Sequence, residues 1–368
     1  MTSVSGDPAP VAVVGTGLIG TSIAMAALRV GDRAKGFDSD RSVLRGAASR
    51  SELTPSASIA QCVGGARFVF VCTPVDSIGR VVAQCMEAEP KAIVTDVGSV
   101  KRKVLAEVEV GVPEDHRSRF VGGHPMTGSE RTGPEAASAS LLEGAAWVLT
   151  PASWSAPEAV TELQDYLTGL GAHSMTMDAG QHDRLVALVS HLPQLVSSAL
   201  MSLVSGGEVD DPTALALAAA GFRDVTRLAG SDPGLWAGIL DANREGVVEA
   251  LDIFLERLTT FRSLVQGRET VDLRRMLTKA HDARTALGAK PRVRAGMALV
   301  QIPVPDRPGV LARLTAALGG AGVNIEDLQI VHSPWEPAGV IHLTVLAESA
   351  DPAIAVLETG GFQPVRVA

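Results

Sequence analysis

The sequence offers little that would support a metal centre, a disulfide-stapled fold or a nucleic-acid-binding surface. Its three cysteines, Cys62, Cys72 and Cys85, fit neither zinc-ligand nor disulfide spacing, and we interpret them as small core residues in a reducing compartment. The formal net charge is −9 and no segment combines clustered basic with aromatic residues, so nucleic acid is not an expected partner. No residues have metal-ligand spacing and no G-x-S-x-G elbow occurs, so we expect no metal ion.

A membrane is not an expected partner either. Residues 1–10 are polar and rich in Ser and Pro, which predicts a flexible N-terminus rather than a signal peptide. Residues 185–204 carry no formal charge, but they include His191, Pro193, Gln194 and four serines. A lipid-facing helix would not tolerate these polar groups. We therefore predict a buried helix and a cytoplasmic protein.

The chain does contain enough apolar sequence for several folded domains. Hydrophobic residues make up 46% of its 368 residues and charged residues 20%, which is the composition of a folded globular protein. Because this length exceeds one ordinary core, we expect two or three domains.

The most informative segment is a glycine-rich turn between a strand and a helix. The apolar run 11–14 leads into Gly15-x-Gly17-x-x-Gly20, and a second short strand ends in Asp38. In a dinucleotide fingerprint the three glycines allow the turn, the approach of the pyrophosphate and the packing of helix on strand. Asp38 can accept both ribose hydroxyls and would repel a 2′-phosphate, so the pattern predicts NAD rather than NADP. The alternative is an ordinary glycine-rich turn.

Strands and helices continue to alternate after this turn. Apolar runs at 68–72, 92–96 and 119–122 are typical of strands buried on both faces of a parallel sheet, and 146–149 and 173–177 are predicted to complete it. Ligands of such sheets bind beyond the carboxyl ends of the strands, where Thr73, Ser99 and His124 lie. We predict a Rossmann-type domain over residues 11–177. Its candidate cofactor-binding residues are Gly15, Thr16, Gly17, Leu18, Ile19, Gly20, Asp38, Thr73 and Pro74.

From residue 178 the pattern becomes helical and later changes again. Residues 182–204, 213–229 and 235–265 carry helical apolar spacing, which predicts a helical domain over 178–287 that buries its apolar faces in a homodimer. Residues 288–297 are basic and contain Gly and Pro, as linkers do. Over 298–368 a strand–helix–strand–strand–helix–strand order, with its second strand starting at Gly322, predicts a ferredoxin-like α+β domain.

Several polar residues are candidates for chemistry. His124 could act as a general base, and the alternative is a histidine that braces the loop. Ser99 lies near it or could be the N-cap of the helix at 101–109. Of Arg223 and Arg227, at i and i+4, one is positioned to bind a carboxylate with two hydrogen bonds, and a salt bridge with Asp224 is the alternative.

Two histidines of the helical segment, His182 and His191, are nine residues apart. They lie half a turn out of phase, so one straight helix cannot present both to the cofactor. Pro193 removes a backbone donor, and we expect a kink beside His191. His191 and Gln194 then share a face at i, i+3.

The motifs of the whole chain resemble those of one family. They are V-V-G-T-G-L-I-G-T-S (13–22), C-T-P (72–74), D-V-G-S-V-K (96–101), G-G-H-P-M-T-G-S-E (122–130), H-D (182–183), S-H-L-P-Q (190–194), G-F-R-D-V-T-R-L-A (221–229), S-D-P-x-L-W (231–236) and D-R-P-G-V-L (306–311). In order and spacing the chain is similar to prephenate dehydrogenases with a C-terminal ACT domain, over nearly all of residues 11–368.

The resemblance implies an NAD-dependent oxidative decarboxylation of prephenate in tyrosine biosynthesis. It implies that His124 is the catalytic histidine on the ring hydroxyl, that Ser99 shares this hydroxyl and that Arg227 binds a substrate carboxylate. Trp236 would close the site, from its own or the neighbouring subunit. The other implied substrate-binding residues are His191, Glu130, Ser129 and Gln194.

Three alternatives stay open at this point. Family members often carry a second histidine where this chain has Gln194, so arogenate, with an amino side chain, is the alternative to prephenate, with a keto side chain. A β-hydroxyacid dehydrogenase is the second alternative. The pattern of that class includes a catalytic lysine in the helical domain, and the absence of lysine from residues 178–234 counts against it. An NAD-sensing regulator is the non-enzymatic alternative.

The ACT resemblance also implies a small effector bound between two copies of this domain. In a tyrosine-pathway enzyme the expected effector is tyrosine or phenylalanine. The candidate residues are Asp306, Gly309 and Asn324, which we expect at neighbouring strand ends. The alternative is a domain that only strengthens the dimer.

Overall fold

The computed structural model describes residues 10–127, 133–205, 215, 217–287, 296–332 and 338–367. The chain divides into two compact units, Met1–Arg257 and Leu258–Ala368. This division falls within one long helix, and the domain boundaries expected after residues 177, 287 and 297 stay predictions.

An eight-stranded sheet is the centre of the first unit. Its strands are β1 (Pro10–Val14), β2 (Arg33–Phe37), β3 (Thr54–Pro55), β4 (Phe68–Val71), β5 (Ile93–Asp96), β6 (Phe120–Pro125), β7 (Ala146–Thr150) and β8 (His173–Thr176). They lie in the order β3-β2-β1-β4-β5-β6-β7-β8, and only the β6–β7 pair is antiparallel. The first six strands have the 3-2-1-4-5-6 order of a Rossmann-type sheet, which confirms the predicted fold.

Helices pack on both faces of this sheet because its central strands are apolar on both faces. In β1, Val11 and Val13 belong to one buried core, whereas Ala12 and Val14 belong to the other, as side chains that alternate along a strand must do. The helical elements are α1 (Leu18–Arg29), α2 (Arg41–Ser51), α3 (Ile59–Val63), α4 (Val75–Ala88), α5 (Arg102–Gly111), α6 (Glu114–Arg117), a 3₁₀ turn (Pro134–Ala136) and α7 (Pro157–Gly169).

Beyond β8 the described chain is helical up to Leu287. The elements are α8 (Ala179–Val186), a π-helical turn (Ala187–His191), α9 (Leu192–Ser205), α10 (Ala220–Thr226), a 3₁₀ turn (Arg227–Gly230), α11 (Pro233–Ala242), α12 (Arg244–Gln266) and α13 (Thr270–Leu287). The helical segment expected over 235–265 is divided between α11 and α12, because Asn243 between them has φ −112° and ψ 32°. Of the helical segment expected over 213–229, residues 213, 214 and 216 lie outside the described residues.

The kink expected beside His191 takes the form of the π-helical turn. Pro193 has no N–H to donate to the carbonyl of Val189, so the regular helical bond at this point cannot form. A π turn is wider than an α turn and therefore rotates the residues that follow it. As a result His182 and His191 are both buried, each 1% exposed, although their spacing on a straight helix predicts opposite faces.

The apolar segment Ala179–Ser205 is only partly buried. Among the described residues it alone is long and apolar enough to cross a membrane, and 28% of its most apolar window is buried. The expectation of a buried helix is therefore wrong for a single chain. The exposed side includes Leu185, Leu188 and Val189, whereas the buried side carries polar residues. These polar residues are His182, Asp183, His191, Gln194 and Ser197.

The second unit contains a four-stranded antiparallel sheet. Its elements are β9 (Met297–Pro305), α14 (Val310–Gly320), β10 (Asp327–His332), β11 (Ala338–Leu346), a 3₁₀ turn (Ala347–Ser349), α15 (Ala350–Thr359) and β12 (Val365–Val367). The strand order β10-β11-β9-β12 is the predicted ferredoxin-like order. The second strand begins at Asp327 rather than Gly322, because Gly322 has φ +70° and forms a turn.

The register of this sheet corrects one expectation about the effector residues. Pro305, at the end of β9, pairs with Ala338, whereas Asp327, at the start of β10, pairs with Thr344. The loop with Asp306 and Gly309 and the turn with Asn324 therefore lie at opposite ends of the sheet. They are not at neighbouring strand ends of one chain, because β9 and β10 run in the same direction.

Candidate active site

The glycine-rich turn leaves open space where the fingerprint predicts a phosphate. A Cβ on Gly15 would lie 2.5 Å from the main-chain oxygen of Cys72, and one on Gly20 would lie 2.0 Å from that of Gly15. These two glycines are required by packing, whereas a Cβ on Gly17 would meet nothing within 4 Å. Gly17 is the N-cap of α1, and the first N–H groups of an α-helix have no partner within the helix.

Asp38 directly follows β2 and is held by the glycine-rich turn. Its Oδ2 accepts hydrogen bonds from the main-chain N–H (2.7 Å) and Oγ1 (3.2 Å) of Thr16, and its Oδ1 accepts one from the N–H of Asp40 at 3.0 Å. Beyond the end of β4, which lies next to β1, Thr73 has a buried Oγ1 without a hydrogen-bond partner among the described residues. Pro74 is the N-cap of α4. These groups lie where a dinucleotide would need acceptors and donors.

Three side chains form a hydrogen-bonded row at the end of β6. Nδ1 of His124 lies 2.9 Å from Nε2 of His182, and Nδ1 of His182 lies 2.8 Å from Oδ1 of Asp183. Because a carboxylate only accepts, the hydrogen of His182 is on Nδ1, and its Nε2 accepts the Nδ1 hydrogen of His124. Nε2 of His124 therefore keeps a lone pair, which is the form a general base needs.

Asp183 is itself fixed by the beginning of α5. Its Oδ1 accepts the N–H of Lys101 at 2.8 Å and its Oδ2 accepts that of Arg102 at 2.9 Å. A carboxylate is stabilised by the free N–H groups and the dipole of a helix N-terminus. Ser99 is not the N-cap that the alternative interpretation suggested, because Lys101 holds that position. Ser99 is half-buried in the loop between β5 and α5.

A buried ion pair lies behind the histidine row. Lys101 and Asp96 are fully buried and form a salt bridge. Nζ of Lys101 also donates to the main-chain oxygen of Gly123 at 2.6 Å, and Oδ1 of Asp96 accepts the N–H of Gly123 at 3.0 Å. The pair thus holds the backbone next to His124. Burial, followed by the charges of Lys101, His182 and His191, holds the pKa of His124 well below its ordinary 6.5.

His191 is buried on the same side of the helical segment as His182. Its Nδ1 lies 3.2 Å from Nδ2 of Asn243, its Nε2 has no hydrogen-bond partner among the described residues, and its ring meets Trp236 edge-on, with ring centroids 6.0 Å apart. Trp236 of the same chain therefore contacts this pocket. Burial lowers the pKa of His191 to about 4.

Two side chains of α9 hold the turn that begins with Arg227. Nε2 of Gln194 donates to the main-chain oxygen of Leu228 at 2.9 Å, and Oγ of Ser197 accepts the N–H of Ala229 at 2.9 Å. Arg227 follows α10, begins the 3₁₀ turn and is exposed. Oε1 of Gln194 is buried without a hydrogen-bond partner among the described residues.

Some predicted site residues cannot be placed and some site residues were not predicted. Ser129 and Glu130 lie outside the described residues. Sequence reasoning assigned no role to His182, Asp183, Lys101 or Asn243. Two signals in the sequence could have indicated three of them. His182 and Asp183 form an adjacent polar pair beside an apolar segment, and Lys101 ends the motif D-V-G-S-V-K. Within the described ranges no group of three or more His, Cys, Asp and Glu residues could hold a metal ion.

Comparisons with known proteins show the family. The family profiles named "Prephenate dehydrogenase, nucleotide-binding domain", "Prephenate dehydrogenase, dimerization domain" and "ACT domain" match residues 29–176, 178–279 and 299–359. The prephenate dehydrogenase of Bacillus subtilis is 31% identical over 342 residues, which is 90% of this chain and 91% of that protein. The chain belongs to the prephenate dehydrogenase family. The expected order of a nucleotide-binding, a dimerisation and an ACT domain is thereby confirmed.

Solved structures of the family share this fold. The chain is similar to prephenate dehydrogenase from A. aeolicus in complex with hydroxyphenyl propionate and NAD+, with a TM-score of 0.71, 28% identity and coverage of 77% of this chain and 99% of that one. It is also similar to Synechocystis arogenate dehydrogenase, with a TM-score of 0.64, 30% identity and coverage of 76% and 99%. Proteins named for prephenate and for arogenate thus share this fold, so the fold alone does not determine which of the two is the substrate.

The contacts of Asp38 generate a prediction about cofactor choice. Asp38→Ser combined with Ser39→Arg should weaken NAD binding and strengthen NADP binding, because a repelling carboxylate is replaced by a cation that can pair with a 2′-phosphate. Titration of both cofactors, followed by fluorescence, measures the change. Ser39→Arg alone is the control and should keep the preference for NAD. A wild-type protein that binds both cofactors equally would contradict this role of Asp38.

The environment of His124 generates a prediction about pH. A base must be neutral, and a lowered pKa keeps His124 neutral as the pH falls through the ordinary value of 6.5. The acid limb of kcat/KM, which reports the free enzyme, should therefore lie below that value. The same shift predicts folding stability that is present above the ordinary pKa and lost as the pH falls below it. An acid limb centred at or above 6.5 would contradict the assignment.

Proposed function

We propose that this protein catalyses the NAD-dependent oxidative decarboxylation of prephenate to 4-hydroxyphenylpyruvate and CO2, a step of tyrosine biosynthesis. The observation that supports it best is the row Asp183–His182–His124, which leaves a lone pair on Nε2 of His124. A general base at this position suits a reaction in which a ring hydroxyl must lose its proton while hydride leaves the same carbon.

The residues around the fingerprint fit NAD. The open space at Gly17 and the N-terminus of α1 suit a pyrophosphate, and Asp38 suits a ribose without a 2′-phosphate. The partnerless Oγ1 of Thr73 provides a polar group at the end of β4. NAD supplies the hydride acceptor when it is bound, and orientation of substrate against it is worth at most about 7–11 kcal/mol.

The proton follows a closed path in this reaction. As hydride leaves the hydroxyl-bearing carbon, the oxygen becomes a carbonyl and its proton passes to Nε2 of His124, with Ser99 beside the same oxygen. The bond from the opposite ring carbon to the carboxylate then breaks, CO2 leaves and its electron pair makes the ring aromatic. The phenolate oxygen takes the proton back from His124. Atoms and charge balance without another reactant.

The remaining predicted residues bind the substrate in this proposal. Arg227, on the turn held by Gln194 and Ser197, binds a substrate carboxylate. His191 lines the pocket and Trp236 covers it from the same chain. We keep Ser129 and Glu130 as substrate-binding candidates on the strength of the motif. A β-hydroxyacid dehydrogenase is less well supported because residues 178–234 lack the lysine of that pattern. An NAD-sensing regulator is less well supported because it would not need the row that makes His124 a base.

Removal of the base tests the proposed function directly. His124→Asn should lower kcat by about 10²–10⁴, the usual contribution of a general base, because the amide cannot accept the proton. NADH formation with prephenate measures kcat, and NAD titration should give near-normal affinity. His173→Asn, a change at an exposed histidine of β8, is the matched control. If His124→Asn turned over at the wild-type rate, His124 would only brace its loop.

Arogenate is a second candidate substrate, and one observation favours it. The amide of Gln194 is oriented by its bond to Leu228, so the atom left buried without a partner is the oxygen. A buried acceptor without a donor costs about 1–3 kcal/mol. The ammonium group of arogenate would supply a donor, whereas the keto group of prephenate would not.

The oxygen of Gln194 therefore predicts a measurable substrate preference. Wild-type protein should use arogenate with a kcat/KM at least comparable to that for prephenate, and Gln194→His should lower the arogenate-to-prephenate ratio about tenfold through loss of a hydrogen bond to a charged group. Assays of NADH formation with each substrate measure the ratio. Ser202→Ala, at an exposed position further along α9, is the control. If Gln194→His left the ratio unchanged, the oxygen of Gln194 would have no role in the preference between the two substrates.

We also propose a cytoplasmic homodimer. The exposed apolar residues Leu185, Leu188 and Val189, together with Val248 and Ile253 of α12, form faces that a second copy would bury. Exposed apolar faces of this kind often mark sites of protein–protein interaction. The three cysteines are free, which suits a reducing compartment.

The ACT domain is proposed to bind tyrosine or phenylalanine. Asp306 and Gly309 lie at one end of the small sheet and Asn324 at the other, so these residues can share a ligand only across two copies of the domain. Asn324 donates to Glu326, and Gly309, with φ +87°, is the N-cap of α14. An effector changes activity only if it binds two states of the enzyme differently.

Calorimetry on the full chain tests the effector. Tyrosine should bind the wild type, and Asn324→Ala should weaken that binding about tenfold through loss of an amide contact to a charged group. Phenylalanine is titrated in parallel. If neither amino acid binds the wild type, the domain has no such effector. Binding that is unchanged in Asn324→Ala and displaced by prephenate would place tyrosine in the active site instead.

A further inference from the structure

Asn243 lies where α11 ends and α12 begins, and its side chain points into the site. The residue is 6% exposed. Its Nδ2 donates to the main-chain oxygen of Asp183 at 2.8 Å and lies 3.2 Å from Nδ1 of His191. Because a carbonyl oxygen only accepts, the contact with Asp183 fixes which end of the amide is nitrogen.

Gly246 leaves the space that this amide occupies. A Cβ at this position would lie 2.8 Å from Oδ1 of Asn243 and 3.3 Å from the main-chain oxygen of Asp183. A larger residue in the first turn of α12 would therefore displace the amide. Asn243 is thus held by a hydrogen bond on one side and by close packing on the other.

This amide decides which nitrogen of His191 carries the hydrogen. The nitrogen of Asn243 donates, so Nδ1 of His191 accepts and the neutral ring carries its hydrogen on Nε2. That Nε2–H is buried and has no partner among the described residues. A donor left in this state is costly unless a ligand completes it.

We infer that Asn243 is a positioning residue that locks His191 as an Nε2–H donor, and that this donor binds the side-chain carboxylate of the substrate. The inference rests on the proposed function. A carboxylate is the acceptor that gains most from a buried donor, and both prephenate and arogenate carry it on the side chain. Gln194, one turn further along the helix, contributes the neighbouring acceptor, so the two atoms fit the end of the substrate's side chain.

The position of the hydrogen is measured without substrate. The chain has eight histidines, and in ¹⁵N-histidine-labelled full-length protein the signals of His191 are identified by their loss in His191→Gln. Long-range ¹H–¹⁵N spectra should show the hydrogen on Nε2 in the wild type. In Asn243→Asp the carboxylate only accepts, so Nδ1 should become protonated. A wild-type hydrogen on Nδ1, or an unchanged ring in Asn243→Asp, overturns the inference.

Kinetics tests the second half of the inference. Asn243→Asp should raise KM for prephenate and arogenate about tenfold with kcat changed less than about twofold, as when binding common to ground and transition states is lost. Gly246→Ala should raise KM in the same direction without removing the amide. Asp241→Asn, two residues away at an exposed ion pair with Arg244, is the control and should keep both KM and the ring spectrum.

The outcomes separate this inference from the proposed function. NAD titration and thermal unfolding identify a variant that has lost its fold, and Gly246→Ala then supplies the test. A shifted hydrogen with unchanged KM overturns the binding role of Nε2. A wild type that uses neither substrate contradicts the proposed function and with it the binding role, whereas the spectra still decide whether Asn243 orients His191.

Discussion

The buried carboxylate of Asp183 is the group on which the rest of the site depends. It accepts hydrogen bonds from the ring of His182 and from the first N–H groups of α5, and its main-chain oxygen accepts one from Asn243. A buried charge without such partners costs several kcal/mol. Through its carboxylate Asp183 joins α8 to the start of α5 and, by way of His182, fixes the position of the hydrogen on His124. Through its main-chain oxygen it holds Asn243, which fixes the position of the hydrogen on His191.

The second constraint is that His124 and His191 stay neutral. Burial lowers the pKa of both; the charges of Lys101, His182 and His191 lower that of His124 further, whereas the carboxylate of Asp183 partly opposes the shift at His191. The neutral ring of His124, with its hydrogen on Nδ1, is a base at Nε2. The neutral ring of His191, with its hydrogen on Nε2, is a hydrogen-bond donor. Because aromatisation drives the loss of CO2, the protein has mainly to orient the substrate and to move one proton.

Much of the fold could be predicted from the sequence, but less of the site could. Buried strands and required glycines leave local signals, so seven strands of the large sheet, the turn around Gly17 and the position of Asp38 were accessible. The two-residue edge strand β3 is exposed and was not predicted. The row from His124 to His182 joins residues 58 positions apart, and no local pattern encodes such a contact. The π turn before Pro193 also changes the helical phase by an amount that spacing alone does not give, which is why His182 was missed. Asn243 appeared only as part of a helix, because its break is set by a tertiary hydrogen bond.

The measurement that tests the central claim most directly is the turnover of Asp183→Asn with prephenate. Oδ1 of Asp183 accepts from both Lys101 and His182, so an NH2 group in its place gives up the bond from Lys101, while the amide oxygen keeps the bond from Arg102. That NH2 group would donate to Nδ1 of His182 and reverse both tautomers, so that His124 would carry its hydrogen on Nε2. The account predicts that kcat falls about 10²–10⁴, as when a base is held in the wrong tautomer, with NAD affinity retained. A folded Asp183→Asn protein that turns over prephenate at the wild-type rate would contradict it.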